Sequence, residues 1–212
     1  EFHKEMLEIF ASVRDLHTSY MLPLPFALHT AVLPFEVESY KQNDKRKFIV
    51  TKVTPGAPVP SSFKPGIEIL YWNGMTMQRA VELHAERHAG SNPAARFAYG
   101  LITMTRRPMF RMLPPDEEWV VITYKTQSGQ VLEHKQDWMI TSFGDNGGVA
   151  SSPNVASKKY SDALGIDFLS EQIRRIRKIM FAPKKVLELE KKMSKAKSKK
   201  AKAKLAQGLD SV

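Results

Sequence analysis

The 212-residue chain contains no cysteine, so it can form neither a disulfide nor a thiolate-ligated metal site, and its redox compartment is not written in its thiols. It has no run approaching the roughly 18 apolar residues that a membrane-spanning helix requires, so no transmembrane segment is expected. No signal peptide is visible either, because the amino end opens on Glu1-Phe2 with a charged amphipathic pattern. The missing initiator Met suggests a processed chain or a fragment, with any targeting segment upstream. Aromatic residues stop at Phe181, which leaves the carboxy-terminal part without rings on which a nucleic-acid base could stack.

What is present is a globular composition, 42% hydrophobic and 25% charged, with the basic charge collected at one end. The net charge is +10, yet residues 171–204 alone hold 14 Lys or Arg against 3 acids. Residues 1–170 carry 18 of each sign, so the high isoelectric point describes the tail and not the body.

Phe2, Met6, Ile9, Phe10 and Val13 recur at helical steps and predict an amphipathic helix to about Leu16. Pro23 and Pro25 end any continuation and lead into Ala31–Ser39, a first strand in which Leu33, Phe35 and Val37 alternate with Pro34, Glu36 and Glu38. Lys41–Lys47 reads as a polar turn, Lys47–Val53 as a second strand and Ile67–Trp72 as a third, with Ile67, Ile69 and Tyr71 on one face. Asn73-Gly74 after it is the dipeptide best suited to two positive φ angles. A helix over Thr76–Ala89, closed by Gly90, places Met77, Ala80, Val81, His84 and His88 on one side.

The span 91–118 is too long for a simple connection. Pro93–Met104 reads as a helix and Arg106–Pro115 as an irregular excursion. Trp119–Tyr124 and Gln130–Ile140 are strand-like around Ser128-Gly129. Thr141–Ser157, rich in Gly, Ser and Asn, reads as a linker; beyond it Leu169, Ile173, Ile176 and Met180 form a helical stripe, Pro183 interrupts, and Lys184–Leu205 continues as a Lys/Ala-rich helix.

Taken in order, these pieces resemble the non-catalytic front end of the C-terminal-processing, or tail-specific, serine peptidases. The resemblance is carried by Arg14-Asp15-Leu16-His17-Thr18 with Tyr20 and Pro23 after it, by Leu33-Pro34-Phe35 in the place of a carboxylate-binding loop, and by Gly56-Ala57-Pro58 in the place of a Gly-Ser-Pro-Ala turn. Gly66-Ile67-Glu68-Ile69, similar to a Gly-Asp-x-Ile strand, and Asn73-Gly74 complete it. It covers roughly residues 3–140. The acidic residue stands one place late, at Glu68 with Ile67 after the glycine, and 91–118 exceeds a compact PDZ domain.

The resemblance implies an α+β fold: a PDZ-like small β-barrel or sandwich with helices, preceded by an amino-terminal helix and followed by a basic helical tail. The expected divisions are a helical segment 1–30, a PDZ-like domain 31–140, a linker 141–159 and a basic helical segment 160–212. It also implies recognition of a peptide or protein C-terminus by β-augmentation. Leu33, Pro34 and Phe35 would hold the terminal carboxylate, although Pro34 has no N–H to give. Glu36 and Val37 would begin the strand that pairs with the peptide, and Met77, Ala80, Val81 and His84 would form the helical wall for an apolar last side chain. The plain alternative is that this face only packs the core.

The family's Ser/Lys catalytic domain follows the PDZ-like one, and this chain holds no Gly-x-Ser-x-Gly turn. Ser157, Ser194 and Ser198 lie near lysines but in linker or tail, where the lysines are solvated and not buried enough to act as bases. No catalytic residue, cofactor or metal is therefore expected in this chain alone, and the expected partners are a protein tail and a partner chain or the missing catalytic domain. By family resemblance alone the compartment would be periplasmic or extracellular.

Three features carry rival readings. His84 and His88, one helical turn apart, have zinc-ligand spacing but lack an obvious third ligand, since Glu86 points to another face. Asp15 and His17 resemble half of an acid–base pair but suit a local cap. The ten lysines of 184–204 suit a basic adaptor or scaffold for nucleic acid, an anionic surface or a partner helix; without aromatics, nucleic acid is not the expected partner, and a solvated charged helix is the simpler account.

Overall fold

The computed structural model describes residues 1–142 and 166–195. The chain divides into two compact units, Glu1–Ser142 and Phe143–Val212. The first is a mixed α/β unit that begins with α1 (Phe2–Ser12), continues through a short 3-10 turn (Phe26–Leu28), and then alternates antiparallel strands with two helices.

Helix α1 stops before Leu16 because a polar turn competes with it. Arg14 takes a left-handed conformation (φ 58°). Asp15 then accepts the backbone N–H of His17 at 3.0 Å and the Thr18 hydroxyl at 2.8 Å, local bonds that replace helical ones. Those donors, the His17 N–H foremost, hold the Asp15 carboxyl below the usual carboxylate range. Asp15 and His17 thus build a turn.

The predicted first strand is two strands, β1 (His29–Val32) and β2 (Phe35–Gln42), parted at Leu33-Pro34. Proline cannot donate to a ladder, so the break falls where the chain passes from one sheet to another. The β1 strand is the centre of a three-stranded sheet, between β6 (Arg106–Pro108) and β9 (Met139–Ser142). The β2 strand opens the larger sheet, ordered β2, β3 (Lys45–Val53), β4 (Glu68–Trp72), β7 (Trp119–Lys125), β8 (Val131–Asp137), with β5 (Met75–Thr76) paired to β4.

The expected polar turn over Lys41–Lys47 contracts to Asn43-Asp44, whose φ angles of 49° and 59° close a tight hairpin and let β2 and β3 extend to meet it. Asn73-Gly74, at 49° and 76°, does the same between β4 and β5. A bulge between Ile69 and Tyr71 in β4 reverses the facing of its last residues: Ile67 and Ile69 are buried as expected, but Tyr71 is 42% exposed and Trp72 only 5%.

Helix α2 (Met77–Ala85) is shorter than its pattern, which runs on through a turn to Gly90 at φ 108°. Helix α3 spans Pro93–Met104, with Pro93 in its first turn and Asn92 accepting the N–H groups of Ala94 and Ala95 at 2.9 and 3.3 Å. The expected irregular excursion after it begins instead with β6, whose charged residues conceal a strand buried at every position and paired Val32 to Arg106, Ala31 to Arg107 and Thr30 to Pro108. Trp138 interrupts the last predicted strand, which becomes β8 and β9.

The core joins the inward faces of β2, β3, β4 and β7 to both helices: Phe35, Val50, Phe63, Ile67, Ile69, Val81, Leu101, Met104, Ile122 and Tyr124 belong to one buried cluster. In the second unit, α4 (Ile166–Phe181) and α5 (Lys184–Lys195) are separated at Pro183, as its missing N–H requires. The expected linker beyond Ser142, with Ser157, and the tail from 196 on, with Ser198, lie outside the described residues.

Candidate functional site

The sequence places a recognition site at the entry to β2. There the two sheets part, and β2 is the terminal strand of its sheet, hydrogen-bonded to β3 on one side only. Leu33, Phe35, Glu36 and Val37 are all buried, at 0, 1, 4 and 4% exposure. On α2, Met77, Val81 and His84 are buried and Ala80 is partly buried against the same core. The structure therefore gathers the strand and helix residues around one apolar centre.

Helix α3, which the sequence left without a role, packs against both α2 and β2. Its Leu101 and Met104 belong to the same cluster as Leu33, Phe35, Val37, Met77 and Val81. Gly100 permits this approach: a Cβ there would lie 2.9 Å from the Cα and Cβ of Ala85, closer than such atoms come. At the end of α3 the Leu33 N–H donates to the Thr105 carbonyl at 2.9 Å. The Pro34 carbonyl accepts from Thr54 N–H at 2.7 Å.

Beside that contact Arg106, 2% exposed, donates through Nη2 to Glu36 Oε1 at 2.8 Å, and Lys52 Nζ stands 3.6 Å from Glu36 Oε2. Arg107 points to the other face of β6, its guanidinium 4.9 Å from the centre of the Trp138 ring, and burial pushes it down to about 10. Two adjacent buried arginines are the residues that pattern reading missed, since a charged pair reads as loop.

Among the described residues no group of three His, Cys, Asp or Glu is placed to hold an ion, and His84 and His88 turn to α3 instead. Both imidazoles reach Thr103 of α3 through Nε2, at 3.0 and 2.8 Å, while the Thr103 hydroxyl donates to the Tyr99 carbonyl at 2.8 Å. A hydroxyl has one proton, so both imidazoles serve as Nε2–H donors, which neutral histidine can do. Desolvation first, then the nearby Arg107 and Arg87 charges, hold His84 well below the ordinary imidazole value; desolvation and Arg87 push His88 down to about 4.

A family model described as PDZ domain matches residues 29–145. No curated protein matches the chain. Among solved structures, it is similar to the crystal structure of mature CPAF, with a TM-score of 0.51 and 20% identity over 66% of this chain and 24% of that one. Mature CPAF complexed with lactacystin gives 0.50 and 20%, over 66% and 25%, and a serine-to-alanine mutant of CPAF gives 0.50 and 18%, over 76% and 29%. The chain thus spans about a quarter of the length of the structures it resembles, and at this identity the likeness is one of fold.

Proposed function

The chain belongs to the PDZ domain family, and from that premise we propose that it recognises the carboxy-terminal tail of a peptide or protein at the outer edge of β2. The observation that carries the reading is the position of β2: a terminal strand, entered through Leu33-Pro34, with the apolar side of α2 serving the same core. An extended tail would add beside β2, its main chain supplying hydrogen bonds and its last side chain entering the apolar region of Val37, Met77 and Val81. Leu33, Pro34, Phe35 and Glu36 would frame the carboxylate end, with Ala80 and His84 on the helical side.

In this reading the module belongs to a protein related to the tail-specific serine peptidases. It selects tails, and hydrolysis is the work of a Ser/Lys domain outside these 212 residues. The shared fold with part of CPAF supports a placement within a larger protein of that kind.

The test is binding of decapeptides with free carboxy-termini and apolar last residues to the whole chain, with amidated copies as controls, at raised salt so that the basic tail contributes little. Preference for the free carboxylate is the expected result. Equal binding of amidated copies, or binding that vanishes with salt, would overturn the reading and leave the basic tail as the functional element.

A further inference from the structure

We propose that the groove carries an internal ligand, residues 93–106, and that a protein tail binds only when this segment withdraws; the inference rests on the recognition reading above. Three contacts place α3 and its exit where a tail would lie. Leu101 and Met104 fill the apolar space beside Leu33, Phe35, Val37, Met77 and Val81. The Thr105 carbonyl accepts the Leu33 N–H at 2.9 Å, the hydrogen bond that a terminal carboxylate oxygen would take. Arg106 then pairs with Glu36 at 2.8 Å, fixing the segment to the second residue of β2.

The segment is built to seat closely and to be held from outside. Gly100 lets α3 press on Ala85, and Thr103 gathers the Nε2 atoms of His84 and His88. Asn92 caps the helix from an exposed position. The internal occupant also describes the external one: a large, flexible apolar last residue in place of Leu101 or Met104, with a free carboxylate at the Leu33 N–H. Occupation in cis means that apparent affinity is the intrinsic affinity reduced by the fraction of molecules in which 93–106 has withdrawn.

In the full chain, Gly100→Ala places a Cβ 2.9 Å from the Cα and Cβ of Ala85, so α3 must move off α2. A decapeptide ending in leucine, and its amide, are the probes. The Gly100→Ala protein is expected to bind the free-carboxylate peptide at least tenfold more tightly than the wild type.

Because that substitution crowds a close contact, Asn92→Ala provides a second route. It removes an exposed cap, loosens α3 without touching the groove, and should tighten binding roughly fivefold. Equal binding by the Gly100→Ala, Asn92→Ala and wild-type proteins would overturn the internal ligand while leaving tail recognition intact. Carboxylate-independent binding, or none in any form, would overturn both.

Discussion

Acid should loosen the contact between α2 and α3 before it reaches the carboxylates. His88 is neutral in the fold because desolvation and Arg87 push it down to about 4, whereas in the unfolded chain it titrates near ~6.5. The unfolded state therefore binds the proton first, and stability present at neutral pH falls as pH drops through the unfolded value, until the folded value is reached. With those two values, protonation removes about 2 kcal/mol by pH 5 relative to pH 7.5, on an order-of-magnitude basis. His84 adds in the same direction, being buried, 5.7 Å ring to ring from His88 and close to Arg107 of β6, which itself lies near Asp116 and Glu117. Asp15 does not intrude, because its lowered carboxyl loses its proton well below this window. Urea unfolding followed by tryptophan fluorescence at pH 7.5 and 5.0 reads the loss directly. His88→Gln keeps an amide donor for Thr103 but cannot titrate, so most of the His88 share of the slope should disappear. A wild-type stability that is flat across this interval, or a His88→Gln protein that keeps the full slope, would refute the argument.

Two further perturbations test other parts of the fold. Arg106→Met should cost about 3–5 kcal/mol, because it removes the cation 2.8 Å from a buried carboxylate, whereas Arg106→Met with Glu36→Gln should recover much of that loss; equal stability of single and double variants in a denaturant cycle would refute the coupling. Ile67→Ala, at a fully buried core position, should cost about 2–5 kcal/mol by the same measurement, and a cost under about 1 kcal/mol would show that the site is not packed as described.

Residue chemistry alone determined the local elements. Asn73-Gly74 and the Asn92-Pro93 start of α3 are legible because φ preference and capping act within a few residues. The stripe of Met77, Val81 and His84 fixed which face of α2 would be buried. The order of Leu33-Pro34-Phe35, Gly56-Ala57-Pro58 and Gly66-Ile67-Glu68-Ile69 was enough to suggest the PDZ family.

What only the tertiary structure decided are the relations between elements far apart in the chain. The β4 bulge turned Tyr71 outward and Trp72 inward, a choice made by pairing with β7 and not by alternation. Arg106 reads as loop until Glu36, seventy residues earlier, supplies the partner that allows its burial. The occupation of the β2 entry by α3 is of the same kind: an apolar stripe requires a covering surface, but hydrophobic burial is non-directional and does not specify which segment supplies it. Close packing at Gly100 and the Leu33 to Thr105 hydrogen bond specify it, because both depend on distances that exist only after the chain has folded.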